Sequence, residues 1–456
     1  MLNIQVIILA AGKGTRMYSP LPKVLHHVGG LPLLGHVVQA VEKLSPLKTT
    51  VVLSPHLPEV EHYVQSYSSV KTAYQHEALG TAHAVLCGLS KNDIDAPILI
   101  LFGDTPLIQA ETLENFIQEF LTLPLDTAAM VVGIKPNDSK NYGRILLNES
   151  QEISEIVEAK GASNEVLAQN LCNSGVMILK GSLAESLLKS IEKNYLSQEY
   201  YLTDVVKVAR AQGHKVKLYV HDNAEELEGV NNCVELADIE TCLQKRWRHR
   251  AMMQGVSMVD PESVYLSYDT ILASGVKLYP HIFFGPGVQI EAQVEIFPFT
   301  HIEGTIVKQN SKIGPYARLR PGCVIEKQSK IGNFVEMKNT HLGTGSKVNH
   351  LSYLGDAQIG ENTNIGAGTI TANFDGYQKW STKIGQKVSV GANCSLVAPL
   401  TIGDGAIIGA GSTVTKDVSD QTLVIARTPQ KNFDQKGQEH RLRAQNSKTS
   451  TTKGND

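Results

Sequence analysis

Residues 313 to 414 repeat with a fixed period. Apolar residues recur every six positions at Ile313, Leu319, Ile325, Ile331 and Met337, then at Leu342, Val348 and Leu354, then at Ile359 and Ile365. The series resumes at Ile384, Val390, Leu396, Ile402, Ile408 and Val414, and glycine often follows directly, as in Ile313-Gly314, Ile331-Gly332, Ile359-Gly360, Ile402-Gly403 and Ile408-Gly409. An amphipathic helix needs a period of about 3.6 and a flat strand about 2, so neither produces this pattern. A parallel β-helix does: each aliphatic side chain points into the coil and stacks on its equivalent one turn away. The interruption from Thr371 to Lys383 reads as a loop thrown out from the coil.

Upstream the texture changes. From residue 1 to 228, apolar strand-like runs (Val6–Leu9, Thr49–Leu53, Pro97–Leu101, Ala128–Ile134, Val176–Leu179) alternate with helical spacing at His36–Leu44 and Thr112–Leu121. The alternation predicts an α/β domain with a Rossmann-like, mainly parallel sheet and helices on both faces. Ligands of such sheets gather at the C-terminal ends of the strands. Residues 229–254 read as a linker helix, because Val234–Met253 lacks Gly and Pro and carries Leu236, Ile239, Leu243 and Trp247 at helical spacing. The basic cluster Lys245-Arg246-Trp247-Arg248-His249-Arg250 is expected to be a solvated helix face near the C-terminus, favourable to the dipole, and not a nucleic-acid surface. The coil spans 255–430, and the polar residues 431–456 are expected to form a disordered tail.

Composition narrows the setting. A chain of 456 residues has room for two or three domains. A net charge of −3 supplies no basic field for nucleic acid or an acidic membrane. The longest apolar runs, such as Ile98–Phe102, fall far short of the ~20 residues that span a bilayer. No basic segment precedes the first strand, which argues against a secretory signal. Six cysteines, at 87, 172, 233, 242, 323 and 394, give neither a disulfide framework nor a zinc spacing. A reducing, cytoplasmic setting is expected.

The first strand empties into Ala10-Ala11-Gly12-Lys13-Gly14-Thr15-Arg16-Met17, followed by Pro22-Lys23. Glycines let the backbone approach an anion, and Lys13, Arg16 and Lys23 supply charge for a polyphosphate. The P-loop spacing is absent, and Met17 stands where the third glycine of a dinucleotide-binding fingerprint belongs. A second strand delivers Asp104 beside Gly103, which suits a Mg²⁺ ligand or, alternatively, a turn or helix cap. The loop from Gln75 to Leu79-Gly80-Thr81-Ala82 carries an amide and a hydroxyl that can hydrogen-bond a pyrimidine edge, but by itself it singles out no ligand.

Leu-Ala-Ala-Gly-x-Gly-Thr-Arg-Met followed by Leu-Pro-Lys resembles the signature of sugar-phosphate nucleotidyltransferases. Together with the coil, the chain over residues 1–430 resembles the bacterial family of bifunctional N-acetylglucosamine-1-phosphate uridyltransferases and glucosamine-1-phosphate N-acetyltransferases. The resemblance implies that Leu9, Ala10, Ala11, Gly12, Lys23, Phe102, Gly103 and Asp104 contact UTP or the UDP-sugar. It assigns Gln75, Gly80 and Thr81 to uracil, and Gly143, Glu158 and Asn173 to the sugar, with Tyr142 and Arg144 flanking Gly143. Asp104 and Asn231 would hold Mg²⁺, Arg16 the leaving pyrophosphate, and Lys23 the phosphates at the reacting centre. Phe102 departs from the Tyr expected there.

In the coil the resemblance rests on Arg318-Leu319-Arg320-Pro321-Gly322, Asn333-Phe334-Val335-Glu336-Met337-Lys338 and His350-Leu351-Ser352-Tyr353-Leu354-Gly355-Asp356. It makes His350 the general base of acetyl transfer, a task suited to a side chain that titrates near neutrality. Arg320 and Lys338 would hold the sugar phosphate, while Tyr353 and Asn364 orient the sugar. Ala367, Asn373, Phe374, Ala392, Ala410 and Arg427 would meet acetyl-CoA. Ala392 replaces an expected Ser, and Phe374 an expected Tyr.

The implied activity is two-step synthesis of UDP-N-acetylglucosamine for cell-wall and envelope construction. Glucosamine 1-phosphate is acetylated on a left-handed coil, and the product is uridylylated in the N-terminal domain. UTP and acetyl-CoA are co-substrates and Mg²⁺ the cofactor. A homotrimer formed through the coil is expected, with no nucleic-acid partner and no membrane span. The rival reading is a single-activity nucleotidyltransferase whose coil regulates or oligomerises.

Overall fold

The computed structural model describes residues 2–89, 95–139, 142–195 and 197–451. It divides into two units, one of residues 1–253 with 265–270, the other of residues 254–264 with 271–456.

The first unit is built on a nine-stranded sheet. Its main path runs Lys215–Val220, Thr127–Ile134, Cys172–Leu179, Ile98–Phe102, Leu2–Leu9, Pro46–Leu53 and Val70–Tyr74. The central strands Ile98–Phe102 and Leu2–Leu9 pair in parallel, in register Leu9↔Phe102, so both empty at the same sheet edge. They are almost wholly apolar because both faces are covered. On one face pack the helices Leu33–Leu44 and Ala110–Thr122, through Leu34, Val38, Val41, Leu113 and Phe116. On the other pack Thr81–Gly88, Gly181–Lys189 and Val205–Ala211, through Val85, Leu187 and Val206.

One strand runs against the expected direction. Cys172–Leu179 is antiparallel to both of its neighbours, with a register shift between Asn173 and Met177. An apolar run records burial, not direction, so this reversal leaves no mark in the pattern. The reversal turns Asn173 toward Gly143, whose carbonyl accepts the Asn173 N–H at 2.8 Å.

The helix Cys233–Met253 docks on the first unit through Ile239 and Leu243, which pack with Met17, Val28, Leu33, Leu107 and Val230. Its basic cluster is not the solvated face expected. Arg248 is buried, and Arg246 donates to the Leu107 carbonyl at 2.8 Å, while Lys245, His249 and Arg250 stay exposed. The burial of one arginine and the backbone hydrogen bond of another are not features a charge count foresees.

The second unit is a left-handed parallel β-helix whose short strands form three sheets of ten, nine and eight strands. Every aliphatic residue of the six-residue series is buried. Successive turns stack in columns: Ile313, Ile331, Val348, Ile365, Val390 and Ile408 in one, and Ile325, Leu342, Ile359, Ile384 and Ile402 in another. Each such side chain contributes roughly 1.5–3 kcal/mol by leaving water. At the interruption Thr371 takes an inward slot above Leu396. Its Oγ1 accepts from the Gly355 N–H at 2.8 Å and donates to the Gly355 carbonyl at 3.1 Å, which satisfies a buried hydroxyl. Residues 373–381 then leave the coil as a hairpin.

The tail corrects another expectation. Lys436–Thr451 is a helix, where disorder was anticipated for 431–456. Lys, Glu, Arg, Gln and Ala are strong helix formers, and no Gly or Pro falls after Gly437 in this span. Its described side chains through Ser447 are all exposed, so propensity and not packing shapes it. Residues 452–456 lie outside the described residues. Among the described residues no helix is long and apolar enough to cross a membrane.

Candidate functional sites

The C-terminal ends of the two central strands open into a cleft of about 760 Å³ in the first unit. Leu9, Ala10, Ala11, Gly12, Lys13 and Lys23 line one wall, with Phe102 and Asp104 beside them. Gln75, Gly80 and Thr81 line a second part, and Gly143, Glu158, Asn173 and Asn231 a third. Two residues expected to contact nucleotide sit elsewhere. Gly103 is buried and donates to the Leu9 carbonyl at 2.9 Å, a sheet contact. Arg16 is exposed at the rim and reaches the site through Asn231.

Asp104 and Asn231 arrive from distant parts of the chain. The Val230 N–H donates to the Asp104 carbonyl at 2.9 Å, which draws the Asn231 turn against the strand end. Asn231 is fixed by the start of the long helix. Asn232 Oδ1 accepts from the N–H groups of Val234 and Glu235, and Glu235 reaches back to Asn232 Nδ2 and the Asn231 N–H, each at 2.7 Å. The arrangement is related to a capping box, but the Glu235 carboxylate takes the backbone N–H of Asn231 in place of that of the cap residue Asn232.

Each of these two oxygen groups faces a cation. Lys23 Nζ pairs with Asp104 Oδ2, and Arg16 Nη2 donates to Asn231 Oδ1 at 2.8 Å. One carboxylate and one amide oxygen are hard donors, each held by a cation that the phosphate oxygens of a bound substrate would draw away. That set fits a Mg²⁺ that takes its remaining ligands from phosphate and water. Clusters of three or more His, Cys, Asp or Glu suited to a metal are absent among the described residues.

Gly80 adopts φ +103°, and a Cβ there would lie 2.5 Å from the Tyr200 carbonyl oxygen, so only glycine closes the Gln75–Thr81 loop this tightly. The Thr81 hydroxyl accepts from the Leu202 N–H at 2.9 Å. Opposite, Asn173 Oδ1 accepts from the Gly175 N–H at 3.1 Å, leaving its amide N–H groups as donors. Burial pushes the Glu158 carboxyl above the ordinary range, against the lowering effect of a 2.9 Å hydrogen bond from Thr203. The Phe102 ring packs over Gly175, apolar where a hydroxyl was expected.

A second cluster lies on the coil. His350 Nδ1 is 2.7 Å from Asn333 Oδ1, and the two residues are register partners on adjacent turns. An amide oxygen accepts only, so Nδ1 carries the proton and Nε2 offers its lone pair. Lys347, Asn364, Ser389 and Ile407 are aligned on successive turns, which puts His350, Ala367, Ala392 and Ala410 in one descending column. Further along, Arg427 Cδ lies 3.7 Å from where a Cβ on Gly411 would be.

On the neighbouring sheet, Arg320 donates to Glu336 at 3.0 Å, and Lys338 is in register with Gly355. A Cβ at Gly355 would fall 2.5 Å from the Tyr353 hydroxyl and 2.7 Å from Asn373 Nδ2, so glycine here lets these two side chains approach. Asn373, expected to meet acetyl-CoA, is buried and donates to Asp356 at 2.6 Å. Phe374 is exposed and bridges to Lys379 across the hairpin. Lys379 sits beside Lys338 and holds its ammonium below the usual lysine range. Sequence reasoning missed both Lys379 and Asn333 as site residues. The interrupted period marked the hairpin, but nothing marked which of its side chains would return to the coil.

Comparison with known proteins covers both units. The family of MobA-like NTP transferase domains matches residues 6–172, and the bacterial transferase hexapeptide family (six repeats) matches residues 381–416. A protein of Paramagnetospirillum magneticum named bifunctional protein GlmU is 43% identical over 444 residues, covering 97% of each chain. Proteins of the same name from Zymomonas mobilis and Bartonella quintana are 45% and 42% identical, over 93% of this chain and 95% and 94% of theirs.

Proposed function

The chain belongs to the family of bifunctional GlmU proteins, and on that premise we propose how its two sites make UDP-N-acetylglucosamine. The observation that carries the reading is that one chain bears two separate constellations. One is a cleft where Lys23–Asp104 and Arg16–Asn231 meet at the strand ends, and the other is the His350–Asn333 pair on the coil.

On the coil, His350 Nε2 takes a proton from the ammonium of glucosamine 1-phosphate. The freed amine attacks the thioester carbonyl of acetyl-CoA, the C–S bond breaks, and the leaving sulfur takes the second nitrogen proton, so that the amide and the CoA thiol result. Arg320, Lys338 and Lys379 hold the sugar phosphate, and Tyr353 and Asn364 orient the sugar. Asn373, tied to Asp356, braces Tyr353. The small side chains of Ala367, Ala392 and Ala410 leave room for the pantetheine arm below His350, with Arg427 toward the CoA phosphates. The exposed setting of His350 and the flat faces of the coil support a homotrimer in which a neighbouring copy closes this site.

In the cleft, an oxygen of N-acetylglucosamine 1-phosphate attacks the α-phosphorus of UTP, and the bond to the pyrophosphate oxygen breaks. The nucleophile is already ionised, so no general base is required. Alignment and charge neutralisation supply the rate. Lys23 neutralises the phosphates at the reacting centre, and Arg16 holds pyrophosphate. Gln75, Gly80 and Thr81 read uracil, while Gly143, Glu158 and Asn173 take the sugar. Asp104 and Asn231 would hold Mg²⁺, whose charge offsets that of the phosphate oxygens. Six free cysteines support a reducing cytoplasm as the working compartment.

Two assays test the halves separately. With UTP, N-acetylglucosamine 1-phosphate and Mg²⁺, pyrophosphate is expected, and chelation should stop its release. With glucosamine 1-phosphate and acetyl-CoA, free CoA thiol is expected. Failure of either assay removes that half of the reading.

A further inference from the structure

The short helix Thr81–Gly88 carries His83 and Cys87 one turn apart, and His83 reaches back to Gln75. Gln75 is buried and lines the cleft, whereas His83 is not part of the wall. Gln75 Nε2 donates to the Gly80 carbonyl at 3.0 Å and lies 3.1 Å from His83 Nδ1. The carbonyl only accepts, so the amide nitrogen, not its oxygen, faces this side. His83 Nδ1 must then accept as well, which leaves the ring proton on Nε2. Nε2 lies 3.9 Å from Cys87 Sγ, a weak acceptor that burial keeps as the neutral thiol. Both amide hydrogens of Gln75 are thereby committed. Its Oε1 accepts no hydrogen bond among the described residues and is left for the cleft.

We infer that His83 is a positioning residue that sets the base preference of the cleft through Gln75. With Oε1 held as the only free group of the amide, the wall presents an acceptor. A pyrimidine with an N–H at ring position 3, as in uracil, donates to it. Cytosine brings a lone pair at that position and is turned away. The inference rests on the uridylyl-transfer reading of this cleft and adds to it a residue that touches neither base nor phosphate.

The test compares KM, kcat and equilibrium binding for UTP and CTP in the wild type and in His83→Ala, His83→Asn and His83→Gln. His83→Ala is expected to raise KM for UTP about tenfold with kcat nearly unchanged, and to shrink the preference for UTP over CTP by a similar factor. Asparagine places an acceptor where ring Nδ1 stands, so His83→Asn should restore both values. Glutamine keeps polar bulk but has no acceptor at that position and should behave like alanine, which covers a poorly folding His83→Ala. An unmoved preference in the alanine and glutamine variants, or equal losses in all three, would overturn the inference. A wild type that binds both nucleotides but turns over no UTP would instead defeat the uridylyl-transfer reading, and the binding preference would still score His83.

Discussion

Glu158 carries a proton to higher pH than a free glutamate, because burial disfavours its charge. In the window between the ordinary carboxylate value and its raised one, the folded state holds a proton the unfolded state has lost. Stability therefore falls as pH rises through that window. Sugar binding should run the other way, since the ionised carboxylate accepts hydrogen bonds from hydroxyls. The KM for N-acetylglucosamine 1-phosphate is expected to drop as pH rises through the raised value, and to be flat for Glu158→Gln in the same titration. On the coil, Asn333→Ala removes the acceptor that fixes the His350 tautomer. Steady-state assays should find acetyl transfer slowed about tenfold, less than the ~10²–10⁴-fold expected for loss of the base itself. Motif reading reached His350 but passed over Asn333, because only the one-turn register of the coil makes them neighbours. Lys379 was hidden for a like reason: the fold of the hairpin, not its spacing, returns it to Lys338.

At the scale of elements, the coil was legible because burial there repeats with the covalent chain. Most inward positions announce themselves six residues from the last, and all the aliphatic ones of the series are buried. The α/β unit was legible only where strands are buried on both faces. Val70–Tyr74, with partly exposed residues on an edge, has no run to notice, and the antiparallel setting of Cys172–Leu179 has no signature at all. The long helix shows both outcomes. Its apolar spacing predicted an amphipathic helix, and Ile239 and Leu243 do pack on the first unit, yet two of its arginines are taken up by contacts no charge pattern reveals. Leu243 is 3% exposed, so Leu243→Ala should cost about 2–5 kcal/mol. Differential scanning calorimetry should show the transition of the first unit shifted down while that of the coil stays in place.

For the whole molecule, the chain separates into a unit that neutralises phosphates and a coil that handles an amine. The tail helix Lys436–Thr451 has no buried side chain among its described residues, so deleting residues 431–456 is expected to leave both activities and the melting temperature unchanged. The central claim is that two separable reactions run in sequence on one chain. It is tested most directly by product analysis of wild type and His350→Ala supplied with glucosamine 1-phosphate, acetyl-CoA, UTP and Mg²⁺. Wild type should form UDP-N-acetylglucosamine, and the variant should form it only when given N-acetylglucosamine 1-phosphate. A wild type that needs the acetylated sugar from the start would contradict the account and leave the coil without chemistry of its own.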